Sequence, residues 1–378
     1  MDYIIAKSDN RVSDQSFDLI MNFNDSMALV KKQNKFGYID KKGILKIPCI
    51  YEEARSFHDG LAPVRQGNKW GYLGLQNELK IPMQYDNANC FKEGMAAVKL
   101  NDKWRLINTL GQPITDNIYD SILDFHEGFA VVKINDSWGF IDSKGDQVIK
   151  CSYQLVDDFE EGLARVKKNG RFGFLNPRNE IIVECQYRTV NSFKNGLAAV
   201  NKNGKWGFIN LSGELVIPLQ YDHTGVGFSE GLCSVRVNNK MGFIDTKGNT
   251  VIPFVFNAEN EMGDCTAVFK NGFARVSLNP NWGSIDSCGY VIETNKQNSN
   301  IETNQGFGFI TQSGRVTVPF IYDWAWSFSD GLAAVFLNEK AGYIDTAGNI
   351  IVPLLYDDAH PFREGLAIVS LINDLDHE

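Results

Sequence analysis

Cysteine chemistry has little to work with here: the chain holds seven cysteines, an odd number, with no Cys-x-x-Cys pair, so neither a zinc site nor a redox dithiol is indicated. Histidine is scarcer still, five residues in 378, with no pair at ligand spacing, and no metal or other cofactor is expected. Basic charge is in deficit, since 37 Lys and Arg against 46 Asp and Glu leave a net charge of −9. A general nucleic-acid binder wants the opposite balance, and nucleic acid is not the expected partner. No apolar run approaches the roughly 20 residues of a membrane helix, which argues against a membrane partner. The opening residues, Met1-Asp2-Tyr3-Ile4-Ile5-Ala6-Lys7-Ser8, show neither the basic nor the apolar region of a secretory signal, so a cytoplasmic location is expected. What remains, 43% hydrophobic and 22% charged residues, is the composition of an ordinary globular chain.

The organisation lies in an internal period. Aromatic-Gly pairs recur at Phe36-Gly37, Trp70-Gly71, Trp138-Gly139, Phe172-Gly173 and Trp206-Gly207, and Trp104-Arg105 completes a series spaced by 34 residues. The series runs on through Gly242, Gly283, Gly308 and Gly342 with steps of 35, 41, 25 and 34, giving a count of ten modules. Phe-x-x-Gly moves in step, from Phe57/Gly60 to Phe362/Gly365, and is followed by an apolar residue, Ala, one variable residue and Val. An Ile/Val-Pro-x-x-Tyr-Asp signature, as in Ile81-Pro82 with Tyr85-Asp86, separates modules.

These columns predict strands. In Gly196-Leu197-Ala198-Ala199-Val200, alternation places Ala198 and Val200 on one face and Leu197 and Ala199 on the other. Asn203-Gly204 supplies the two positive-φ residues of a tight hairpin turn before a second strand, Trp206-Gly207-Phe208-Ile209. Glycine in mid-strand costs stability, so its recurrence there implies that a backbone or a large ring packs against it. A second turn draws only on Gly and Asn (Gly43, Asn77, Gly111, Gly145, Asn179, Gly213, Gly248, Gly289, Gly314, Gly348), the residues that tolerate a left-handed backbone. A third strand such as Glu214-Leu215-Val216-Ile217 stops at proline, and a connector from Tyr-Asp to Phe-x-x-Gly follows. Each module is predicted to be a three-stranded meander of about 34 residues.

The Trp-Gly pairs at Trp70-Gly71, Trp138-Gly139, Trp206-Gly207 and Trp282-Gly283 resemble those of the WG-repeat family, over roughly residues 17 to 370. The family is largely bacterial, and the resemblance implies binding or scaffolding without shared catalytic residues. The chain departs from the pattern at Arg105, Met241 and Ala341, and in the irregular modules at about 243–308. The domain reading is a single array over residues 1–370, with a partial N-terminal module at 1–22 and a C-terminal tail at 371–378.

Candidate sites are weighed against this periodicity. Cys49, Cys151 and Cys185 share one column with Met83, Leu219 and Phe254, and Cys233 stands in the Ala column, so these four read as small buried hydrophobes; Cys90, Cys265 and Cys288 stay unassigned. His58 and His126 fall in a variable column and are expected to face solvent. Gly227-Phe228-Ser229-Glu230-Gly231 matches a nucleophile-elbow pattern, but it is one more Phe-x-x-Gly, so no catalytic role is expected of Ser229. The acids before Gly (Asp59, Glu93, Glu127, Glu161, Glu230, Asp330, Glu364) are expected to accept N–H bonds within their own turns.

Two features do not follow from the repeat. Trp324 and Trp326, with neighbouring Tyr322, occupy a connector whose matched positions hold Asn87 and Asn89, and they form the candidate partner-binding surface. Residues 165–205 carry nine Lys and Arg against two acids, and Lys167, Lys168, Arg171, Arg178 and Arg188 form a candidate basic patch for an acidic partner.

The expected fold is therefore all-β, a tandem array of about ten three-stranded meanders in an open superhelix, with a closed ring or propeller-like toroid as the alternative. The expected function is non-enzymatic binding or scaffolding toward a protein or other acidic macromolecule, with carbohydrate a further possibility. The alternative is an enzyme or carbohydrate-binding module with its site in the irregular modules near residues 257–330, where the polar stretch Asn295–Asn300 lies.

Overall fold

The structure, a computed structural model, describes residues 2–7, 17–257, 267–279, 283–286, 288–293, 306–363 and 365–371. Cys265, Trp282, Glu364, the stretch Asn295–Asn300, much of the partial N-terminal module and residues 372–378 of the tail lie outside them. The chain is all-β, and no helix occurs among the described residues. It divides into two compact units: one contains residues 2–7, 17–181 and 370–371, the other the described residues from 182 to 369.

Within each unit the same small sheet is repeated. In the first unit, Glu53–Ala54, Leu61–Gln66, Lys69–Gly74 and Leu79–Tyr85 form a four-stranded antiparallel sheet in sequence order. In the second, Thr189–Val190, Leu197–Lys202, Lys205–Asn210 and Leu215–Tyr221 do the same. The expected three-strand meander is thus present, and the connector adds a fourth strand in front of it. Phe-x-x-Gly is the turn that makes this possible. His58 and Leu61 exchange both backbone hydrogen bonds, at 3.0 Å each, around Asp59 and Gly60, whose φ values are 52° and 74°; this is the mirror-image turn that matches strand twist.

The hairpin between the first and second strands behaves as the sequence predicts, with Asn203 and Gly204 at φ 55° and 82°. All ten residues of the Gly/Asn column also have positive φ. A column that sequence reading overlooked closes this second turn. The Asp40 carboxylate accepts the N–H groups of Lys42 and Ile44 at 2.9 and 3.0 Å, and Asn108, Asp142, Asn176, Asn210, Asp245, Asp286 and Asp345 repeat the bond.

The core lies between successive sheets. Val98, Val132, Val166 and Val200 are completely buried, as their column predicts. Both faces of the first strand are covered, since Leu197, Ala198, Ala199 and Val200 are all buried. Leu197, Ala199 and Phe208 pack with Phe228, Cys233, Val235 and Ile244 of the following module. The ring after the strand-two glycine meets the next Phe-x-x-Gly ring in several modules: Tyr72 and Phe91 at 4.8 Å, Phe208 and Phe228 at 5.0 Å, Phe309 and Phe328 at 4.5 Å. Burial of apolar faces against neighbours, not within one sheet, is what holds each array together.

The mid-strand glycine answers to a backbone. A Cβ on Gly71 would stand 2.6 Å from the carbonyl oxygen of Ile81 and 2.9 Å from the amide nitrogen of Met83, both on the module's own third strand. Where Arg105 replaces it, no regular third strand pairs, and only isolated bridges, Trp104 with Tyr119 and Ile107 with Pro113, remain.

The irregular region resolves differently from the count of ten. Phe273–Val276 pairs directly with Phe307–Thr311, and Val276 faces Gly308 as Val200 faces Gly207. Gly283–Ile285 and Val291–Glu293 form a separate two-stranded hairpin inserted between those strands. Gly283 therefore marks an insertion inside one module and not a module of its own.

Carboxylates link successive turns. Several of the acids before glycine bond forward, not within their own turns as expected: Asp59 accepts the N–H of Gly94 at 2.8 Å, Glu93 that of Gly128 at 3.2 Å, and Asp330 that of Gly365 at 2.8 Å. The Asp of Tyr-Asp ties the other hairpin. Asp86 accepts the Asn101 N–H at 2.8 Å and pairs with Lys69 Nζ at 2.6 Å. Its pKa is lowered first by the Lys69 hydrogen bond and then by the Asn101 amide; Asp120 and Asp222 are lowered likewise by Lys103 and Lys205. A carboxylate whose folded pKa is depressed adds stability above its unfolded value near 4, and that stability is lost as pH falls through the folded pKa. Asp158, raised by burial, opposes this trend, but it is one group against several. The thermal midpoint is therefore expected to hold between about pH 7 and 5 and to fall below about pH 4. A midpoint unchanged down to pH 3 would contradict these contacts.

Candidate binding site

The first positions of the connector are where modules differ most. The slot of Glu53 holds Asn87, Ser121, Leu155, Thr189, His223, Trp324 and Asp358 in sister modules, and the slot of Arg55 holds Asn89, Leu123, Asp157, Asn191, Trp326 and His360. A short connector strand fixes the backbone here, as in the pairing of Trp324 with Phe336 and of Ala325 with Val335. The side chains are left at the surface.

Trp324 and Trp326 are 37% and 40% exposed, so neither indole belongs to the core. They meet edge to face, with ring centres 6.3 Å apart and planes at 89°. Trp324 also meets Phe307 edge to face at 5.0 Å. The Arg275 guanidinium lies 4.1 Å from the Trp324 ring centre and 4.9 Å from that of Phe307, and its Nη1 donates to the Ala325 carbonyl. Cation–π contact and hydrogen bond together clamp the indole from one side. The outcome is a rigid, partly exposed aromatic corner, whose ordering cost has been met before any partner arrives.

Arg275 is the residue that sequence reading missed. Its column, between Ala and Val in the first strand, holds Leu29, Pro63, Ala97, Val131, Ala199, Ser234 and Ala334, and Arg appears only there and at Arg165. Arg165 makes the parallel contact, its guanidinium 5.4 Å from the Phe172 ring. That an Arg recurs in a small or apolar column was the available signal.

Tyr322 requires a correction. It is 5% exposed and packs with Phe309, Val318, Ala325 and Phe328, and burial raises its pKa. It is the tyrosine of the Tyr-Asp signature, buried like Tyr51, Tyr85 and Tyr221, and does not belong to the exposed corner.

The basic residues are spread over several elements. Lys167 lies over the Phe172 ring at 5.0 Å and Lys168 over Tyr153 at 6.0 Å. Lys168 and Arg171 face each other at one hairpin, whereas Arg178 follows the far end of Arg171–Leu175, a strand about 13 Å long at the usual rise. Arg188 belongs to the other compact unit.

The remaining candidates settle into structural places. Ser229 donates its hydroxyl to the Phe269 carbonyl at 2.7 Å. In the same column His126 is half-buried and meets the Phe159 carbonyl through Nδ1 at 2.8 Å, not fully solvent-facing as expected; His58 is exposed. Cys233 is buried, but Cys49, Cys151 and Cys185 are only half-buried, because their column lies on the third strand, an edge of the sheet. Burial pushes the thiols of Cys90 and Cys233 up to about 11, Cys90 is half-buried, and Cys288 is exposed.

Small antiparallel sheets, packed in succession within each unit and built from one repeating sequence, define a β-repeat protein. The chain belongs to the WG containing repeat family, whose model matches residues 36–70, 70–104, 104–137, 138–172, 172–206, 206–240, 241–282, 307–340 and 342–375. The sequence matches none of the curated proteins with which it was compared. Among solved structures, the chain is similar to a eukaryotic initiation factor, at 11% identity and a TM-score of 0.48 over 87% of this chain and 95% of that one. It is also similar to the extracellular domain of a putative hybrid two component system from B. thetaiotaomicron, at 11% identity and a TM-score of 0.28 over 89% and 57%. A third likeness is to Hsv2 of Kluyvelomyces marxianus, at 10% identity and a TM-score of 0.32 over 62% and 93%.

Proposed function

We propose that the chain is a non-catalytic binding or scaffolding module of the cytoplasm that presents the Trp324–Trp326 corner to a protein partner. The observation that carries this reading is the exposure of two indoles, 37% and 40%, at positions that are mostly polar in the sister modules named above, with Leu155 and Leu123 the apolar exceptions. Single exposed apolar residues are common, but two clamped aromatic rings side by side have the character of interface anchors.

The experiment replaces both tryptophans with alanine in the full chain and compares crosslinked partners with those of the wild type. The double variant is expected to keep its thermal midpoint within a few degrees and to lose at least tenfold in affinity, since such anchors commonly contribute about 2 kcal/mol each. Partners retained undiminished by the folded double variant would refute the assignment.

A further inference from the structure

The connector slots that carry Trp324 and Trp326 in one module carry Glu53 and Arg55 in another, and there they border a cleft of about 320 Å3 in the first unit. Its walls combine Glu53 and Arg55 with Arg65, Asn68 and Trp70 of the adjoining hairpin and with Asp86 of the next connector. The volume lies at the small end of the range for small-molecule sites.

Glu53, Arg65 and Asp86 each meet an opposite charge, whereas Arg55 is held by neutral amides and an indole. Arg65 Nη2 meets Glu53 Oε1 at 2.7 Å, and Asp86 meets Lys69 at 2.6 Å. Arg55 donates to the side-chain oxygens of Asn89 and Asn87 at 2.9 and 3.2 Å, and its guanidinium lies 5.4 Å from the Trp70 ring centre. An anion or a cation entering the cleft would compete with a partner already in contact. An apolar ligand finds no platform either, because Trp70 is only 5% exposed. What the walls can still offer is a mixture of donors and acceptors: the Asn68 amide, the second Glu53 oxygen and the Asn87 amide nitrogen. A hydroxyl donates and accepts at once, so it suits such a mixture better than any charged group.

We infer that this cleft binds a neutral polyhydroxylated ligand of monosaccharide or cyclitol size. The inference is independent of the tryptophan corner, which sits in the other unit. Affinity should be modest, because recognition rests on hydrogen bonds with little apolar burial, and a low-millimolar dissociation constant of about 1–10 mM is expected.

The test uses the full chain and saturation-transfer NMR, with D-glucose and myo-inositol as probes and with inorganic phosphate and glycine as ionic competitors. At least one polyol should bind saturably, Asn68→Ala and Glu53→Gln should each weaken it at least fivefold, and neither ion should compete. Asn68 and Glu53 are exposed, and unchanged thermal midpoints will show that both variants fold. The Trp324→Ala/Trp326→Ala double variant should bind the polyol as the wild type does, so failure at one site is distinguishable from failure at the other. Absence of saturation for both polyols by about 50 mM, several times the expected constant, would overturn the inference. So would undiminished binding by the two cleft variants, or displacement by phosphate or glycine.

Discussion

Replacing Phe91 with alanine is expected to destabilise the first unit by about 3–5 kcal/mol, the range for losing a fully buried aromatic ring and leaving a cavity. Phe91 has no exposed surface and meets Tyr72 edge to face at 4.8 Å, a geometry that adds to plain burial. Its neighbours Leu61 and Ile81 come from one module and Ala96 and Val98 from the next. The lost contacts therefore loosen an interface between sheets, and hydrogen exchange should rise in both modules together. Chemical denaturation monitored by tryptophan fluorescence reads the size of the effect. A loss below about 1 kcal/mol would mean that the ring is not the wedge between sheets described here.

Gly71→Ala is expected to cost about 3 kcal/mol, the upper end for overpacking, although it adds a single methyl group. A side-chain obstacle could rotate away, but the atoms in reach are the Ile81 oxygen and the Met83 nitrogen of a paired backbone. Relief requires the strand Leu79–Tyr85 to separate, breaking its register of Trp70 with Tyr85 and Tyr72 with Ile81. Arg105 supplies the internal control, since its module has no regular third strand to displace. Arg105→Ala should be nearly silent by comparison. If Gly71→Ala unfolds at the same denaturant concentration as the wild type, the close approach of the third strand is not the reason for the glycine.

The parts of this fold that could be read in the sequence are those set by one residue's own backbone or by alternation along one strand. The Val column, the positive-φ turns and the mid-strand glycine are of this kind, and repetition made each of them visible. The connector strand was not readable, because in modules such as Glu53–Ala54 it is two residues long, too short for alternation to register. Its turn, Phe-x-x-Gly, was taken for part of a loop. Spacing also failed at Gly283, where an aromatic-Gly pair imitates a module while Val276 pairs with Gly308 across the insertion. Of the candidate site, the two tryptophans were legible as the only indole rings in two mostly polar columns. Arg275 was visible only as an Arg in a small or apolar column; its contact with Phe307 was not, because Phe307 follows it by 32 residues in sequence (307 − 275) and meets it only through that long-range pairing.

The forward reach of the turn carboxylates has a consequence for how such a chain can change length. Asp25, Asp59, Glu93 and Glu127 each hold a glycine 35 residues ahead, so the bond belongs to the period and not to any one copy. A tandem duplication of one whole period between Asp25 and Gly162 gives the new turn both a carboxylate behind it and an amide ahead of it. Glu230 shows where the rule is elastic, because it reaches Gly272 across 42 residues, seven more than the others (42 − 35). Growth by recombination in phase within this stretch thus keeps its turns latched, and extra residues are tolerated where, as at Glu230, they leave the two turns side by side.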